Sequence, residues 1–134
     1  MDEARLKAAP LFAGLTRKEC RALAQRTDDV DLEAGRKIVR EGEWSYEFFA
    51  IEKGTAEVRR GDQLLAELGP GDFFGEMGLV GDTRRNASVI ATSPVTVIVM
   101  TAQAFRQTAR ELPEVASKIR AAIEERGRQL ESVN

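Results

Sequence analysis

The chain has 134 residues, enough for one ordinary domain, and its 43% hydrophobic and 31% charged content is that of a globular protein, not a disordered one. Lys and Arg number 20 against 22 Asp and Glu, a net charge of −2, which lacks the basic excess that nucleic-acid binders carry. With no histidine and a single cysteine, the usual serine and cysteine triads, the common zinc sites, a CxxC redox pair and an intramolecular disulfide are all excluded.

Met1-Asp2-Glu3-Ala4-Arg5 is charged and has no apolar core behind it, so a signal peptide is not expected and the expected location is cytoplasmic. Residues 1–27 read as short helices around Pro10-Leu11-Phe12-Ala13-Gly14-Leu15. Thr16 and Glu19 make a capping box that starts a helix, with Leu15 and Cys20 placed as a hydrophobic staple. On this reading Cys20 is a small buried apolar residue and not a reactive thiol.

From 28 to 101 the chain is punctuated by glycines and alternates with a period of two. Ala56 and Val58 are predicted inward, with Glu57 and Arg59 outward. Leu64, Ala66 and Leu68 follow the same rule, as do Ala87, Val89 and Ala91. Lys53-Gly54 and Gly61-Asp62 are predicted hairpin turns, and Pro70 ends a strand. Short strands at this frequency indicate an antiparallel sandwich or barrel. The longest apolar run, Val95 to Met100, is strand-length and far below the ~20 residues of a membrane span, so no direct membrane insertion is expected.

Helical spacing returns after Thr101, which can cap a helix carrying Phe105 inward. Leu112-Pro113 breaks it, and a last helix is predicted from Glu114 to Leu130, with Val115, Ile119 and Ile123 on one face. Glu114 with Lys118 and Glu124 with Arg128 are expected supporting pairs.

Within the strand-rich region, Phe74-Gly75-Glu76-Met77-Gly78-Leu79-Val80 is followed by Arg85-Asn86-Ala87-Ser88-Val89. Singly, a glycine here reads as a turn and an arginine as a solvated charge. Together, with the arginine nine positions after the glutamate, the pattern resembles the phosphate-binding cassette of the cyclic nucleotide-binding domain family. That spacing leaves the neighbouring Arg84 to the surface. The resemblance extends to Pro10-Leu11-Phe12 with Leu15, to Phe48 through Gly54, to Leu68 through Phe74 and to Leu112-Pro113-Glu114. In layout the chain is similar to the cAMP-binding domains of bacterial cyclic-nucleotide-gated potassium channels and of catabolite activator protein.

The resemblance implies a mainly β fold: an eight-stranded antiparallel jelly roll, cupin-like, flanked by N-terminal and C-terminal helices. It implies one domain over 1–134, with N-terminal helices to 27, a β-roll over 28–101, a cassette over 74–88 and hinge and lid helices over 102–131. The implied ligand is cAMP, ahead of cGMP, held by Phe74, Gly75, Glu76, Met77, Gly78, Arg85, Asn86, Ala87 and Ser88. In that scheme backbone N–H groups after Gly75 and the Arg85 fork take the phosphate, while Gly75, Gly78 and Ala87 let backbone approach it. Glu76 accepts from the ribose 2′-hydroxyl, and in the empty site it is expected to pair with Arg85. Asn86 leaves base preference open. Arg120, Ile123, Glu124 and Arg126 are candidate base contacts on the last helix, which acts as a lid.

The implied function is a regulatory sensor that signals through lid movement to an effector domain or protein contacting the C-terminal helix, without metal and without catalysis. The alternative is the same fold used as a protein–protein interaction module that binds no nucleotide. A metal-dependent enzyme on a cupin-like barrel is disfavoured by the missing histidines.

Overall fold

The computed structural model describes residues 1–75 and 84–127. Helix α1 (Glu3–Ala8) begins at Asp2, whose carboxylate accepts from the Ala4 and Arg5 amides at 2.7 and 3.0 Å. A 3-10 turn (Pro10–Phe12) leads to α2 (Arg17–Ala24). The capping box is present: Thr16 Oγ1 accepts from the Glu19 amide, and Glu19 Oε1 accepts from the Thr16 amide at 2.8 Å.

Eight strands follow: β1 (Asp28–Leu32), β2 (Lys37–Val39), β3 (Glu47–Lys53), β4 (Ala56–Arg60), β5 (Gln63–Leu68), β6 (Phe73–Phe74), β7 (Ser88–Ala91) and β8 (Val95–Thr101). They form two antiparallel four-stranded sheets, in the orders β1-β8-β3-β6 and β2-β7-β4-β5. Strands switching between sheets in this order make a jelly roll. Thr101 caps α3 (Ala102–Glu111), accepting from the Ala104 amide at 3.0 Å, and α4 (Pro113–Gly127) follows.

Two apolar cores share one wall. Phe49, Ile51, Val58, Phe74, Ala87, Val89 and Val97 are buried together inside the roll. On the other face of the same sheet, Phe48, Ala50, Ile98 and Met100 pack with Leu6, Phe12, Leu23, Phe105, Val115 and Ile119 from the helices. The alternation of a pleated strand produces both sets, since successive side chains of β3 and β8 point to opposite faces. Cys20 is buried in the helical core beside Leu15, as the staple requires, and burial pushes its thiol pKa up.

Three expectations need correction. Lys53-Gly54 does not close a hairpin, because β3 and β4 lie in different sheets. Gly54 is the crossing point, with φ +90°, and a Cβ there would overlap the Pro94 carbonyl and Val95. Leu64 does not point inward but is 44% exposed. A bulge opposite Val58 and Arg59 leaves Leu65 as an extra residue, so Leu64 pairs with outward-facing Arg59 and Leu65 packs inward in its place. Lys118 does not pair with Glu114; its Nζ reaches Glu19 Oε1 at 2.6 Å, tying α4 to α2. Gly61-Asp62 does form the tight turn between paired strands β4 and β5.

Candidate functional site

Strand β6 is two residues long and pairs with β3, placing Phe74 opposite Phe49. Their rings stack with centroids 5.0 Å apart. Gly75 follows at once with φ +82°, a conformation that strongly favours glycine. A Cβ there would overlap the Arg85 guanidinium and lie 2.8 Å from the Glu47 carbonyl oxygen. Glycine is therefore favoured twice, once by the turn and once by the Glu47 backbone carbonyl, while the Arg85 side chain would have to shift to admit a β-carbon.

Arg85 is 5% exposed. Its Nη2 donates to the Glu47 carbonyl at 2.8 Å, and its guanidinium carbon sits 5.8 Å from the centre of the Phe49 ring. Its backbone is held from both sides: the Arg85 amide donates to the Glu43 carbonyl at 2.7 Å, and its carbonyl accepts from the Gly42 amide at 2.8 Å. Cation, glycine turn and buried aromatic pair thus meet at the end of β6, where β3 is flanked on the other side by β8. A guanidinium fixed against a Cβ-less backbone suits a small anion.

The remaining expected ligand residues fall into three groups. Ala87 is fully buried in the roll with Phe74. Asn86 is exposed, and its carbonyl accepts from Arg60 Nε at 3.0 Å. Ser88 points to the outer face of its strand, where its hydroxyl accepts from the Glu41 amide at 2.9 Å. Glu76, Met77 and Gly78 lie outside the described residues, as does the expected pairing of Glu76 with Arg85. On α4, Arg120 and Glu124 are exposed and Ile123 packs partly against the helical core. The Arg126 side chain is outside what is described. Arg84 is exposed, with its guanidinium 4.2 Å over the Trp44 ring.

Two contributors were invisible to sequence reasoning. Glu47 acts through its backbone carbonyl, which no side-chain pattern advertises. Trp44 is the chain's one tryptophan, set between Gly42 and the first residues of β3, and that position was its only signal. Among the described residues no cluster of three or more His, Cys, Asp or Glu is placed to hold a metal, and no helix is long and apolar enough to cross a membrane.

A family model described as "Cyclic nucleotide-binding domain" matches residues 29–111. The chain is 34% identical over 107 residues to a cAMP-dependent protein kinase regulatory subunit of Hypocrea atroviridis, covering 80% of this chain and 23% of that subunit. It is 37% identical over 87 residues to a cGMP-dependent protein kinase of Plasmodium berghei, covering 65% of this chain and 10% of the kinase. The structure superposes on catabolite activator protein of Thermus thermophilus with TM-score 0.76 and 28% identity, over 90% of this chain and 59% of that one. The chain thus spans a quarter or less of the length of these two kinase-related relatives.

Proposed function

Because the chain belongs to the cyclic nucleotide-binding domain family, we propose that it is a regulatory module binding a cyclic nucleotide where Phe74, Gly75, Arg85 and Ala87 meet, with cAMP ahead of cGMP. The observation that carries this reading is the nearly buried Arg85 guanidinium laid against Gly75, where a β-carbon would collide with it. A cyclic phosphodiester brings one negative charge and two exocyclic oxygens, and a fixed guanidinium answers both. Glu76 takes the ribose 2′-hydroxyl in this scheme, and Asn86, exposed beside Arg85, is the candidate for contact with the base. The order of ligands follows the relatives: the one named for cAMP aligns over 80% of this chain and the one named for cGMP over 65%.

The signal is carried by α4, which lies on the helical core through Val115, Ala116 and Ile119. Ligand drives it only if the nucleotide binds the α4-closed state better than the open one, with Arg120 and Ile123 meeting the base on closure. An effector domain or protein would read the position of this helix, in a cytoplasmic setting.

Calorimetric titration of refolded, ligand-stripped protein with cAMP, and separately with cGMP, tests the proposal. Saturable binding is expected, tighter for cAMP. Arg85→Ala should weaken it by at least about tenfold with the fold retained. No heat with either nucleotide at two temperatures would overturn the reading and leave the fold as an interaction module.

A further inference from the structure

The segment Glu41–Trp44, between β2 and β3, runs alongside residues 84–88 and binds several of them. Arg85 is gripped through its amide by the Glu43 carbonyl and through its carbonyl by the Gly42 amide, at 2.7 and 2.8 Å. Ser88 is held through its hydroxyl by the Glu41 amide at 2.9 Å. Arg84 donates from Nη1 to the Gly42 carbonyl at 2.8 Å. Trp44 forms a bridge with Arg84, and its ring lies under that guanidinium at 4.2 Å. Trp44 is 47% exposed. A single exposed ring is ordinary, but this one covers the side chain next in sequence to the buried cation.

We propose that Trp44 and Arg84 are positioning residues for Arg85: their stack closes the outer side of a clamp whose inner side sets where the Arg85 guanidinium sits. This rests on the reading of Arg85 as the phosphate ligand. An arginine side chain has several free torsions, so fixing its tip requires fixing both ends. The tip is placed by the Glu47 carbonyl and Gly75, and the root by Gly42 and Glu43. The Arg84–Trp44 stack keeps the backbone from peeling outward at the residue just before Arg85. A binding group displaced by a fraction of an ångström loses much of its value, so the effect reaches the ligand without Trp44 touching it.

The test uses the full chain with Trp44→Ala, Arg84→Ala and Trp44→Phe, and with Trp44→Ala in an Arg85→Lys background. Two readouts are needed: the cAMP dissociation constant, and hydrogen exchange of the Arg85 and Gly42 amides without ligand. Trp44→Ala and Arg84→Ala should each weaken binding about two- to fivefold, as expected for an exposed cation–π stack, and speed exchange at both amides. Trp44→Phe should restore both properties. In the Arg85→Lys background, where a flexible ammonium needs no clamp, Trp44→Ala should change affinity little.

Equal affinity and equal exchange in Trp44→Ala would overturn the proposal. So would a loss of affinity as large in the Arg85→Lys background as with Arg85 in place, since that would mark a general structural role. If the unaltered chain binds neither cAMP nor cGMP, it is the site reading that fails. The exchange data then still decide the clamp, with unchanged protection counting against it and faster exchange for it.

Discussion

At the scale of single residues, Gly75 concentrates the most information. Its φ of +82° and the overlap a β-carbon would make with Arg85 are separate demands on one position. Gly75→Ala should therefore do two things: destabilise the fold by about 1–2 kcal/mol through the left-handed backbone, and displace the guanidinium. The expected loss of cAMP affinity exceeds what the stability change alone produces, and calorimetry paired with thermal unfolding separates the two. Much at this scale was legible in the sequence, because the cassette signals by side-chain type and spacing. The spacing of the family's cassette assigns Arg85 to the site and Arg84 to the surface, and the two are buried and exposed respectively. The Glu47 carbonyl could not be read, because every residue of every strand offers the same atom.

Among the elements, α2 and α4 are joined by one carboxylate. Glu19 Oε1 accepts both from the Thr16 amide, closing the capping box, and from Lys118 Nζ. Burial opposes its charge, yet the bonds from Lys118 and Thr16 outweigh burial and hold its pKa below the ordinary value. A carboxyl depressed in the folded state adds stability above its unfolded pKa and loses it as pH falls through the folded one. Glu19→Gln should therefore lower the melting temperature near neutral pH, and the gap from the unaltered protein should hold down to about pH 5 and close only as pH falls below the ordinary carboxylate range. A gap independent of pH would mean that the charge on Glu19 contributes nothing. The capping box was legible because it spans three residues. Lys118 is 99 positions away from Glu19, and the local rule pairs it instead with Glu114, one helical turn back. The same limit explains the bulge at Leu65 and the sheet crossing at Gly54, which depend on what lies opposite and not on what lies adjacent.

For the whole molecule, the jelly roll and its flanking helices were legible from glycine spacing, two-residue alternation and the family resemblance, but the two-sided wall was not. Strands β3 and β8 read as continuous apolar runs because each face serves a different core. If α4 closes on bound nucleotide, the Ile119 and Ile123 amides should exchange more slowly with cAMP present. Unchanged exchange at saturating ligand would remove the lid from the mechanism. One dipeptide shows how little material separates the two compartments. Phe74 stacks on Phe49 inside the roll, while Phe73 tilts against Phe48 at 5.8 Å on the helical side. Phe74 opens the proposed cassette, and Gly75 follows at once. Because the two rings project from opposite faces of β6, a displacement of the strand normal to its sheet would press one ring into its core and draw the other out. The two cores are thus kept apart at this edge by a strand only two residues long, so that one peptide unit carries a ring into each.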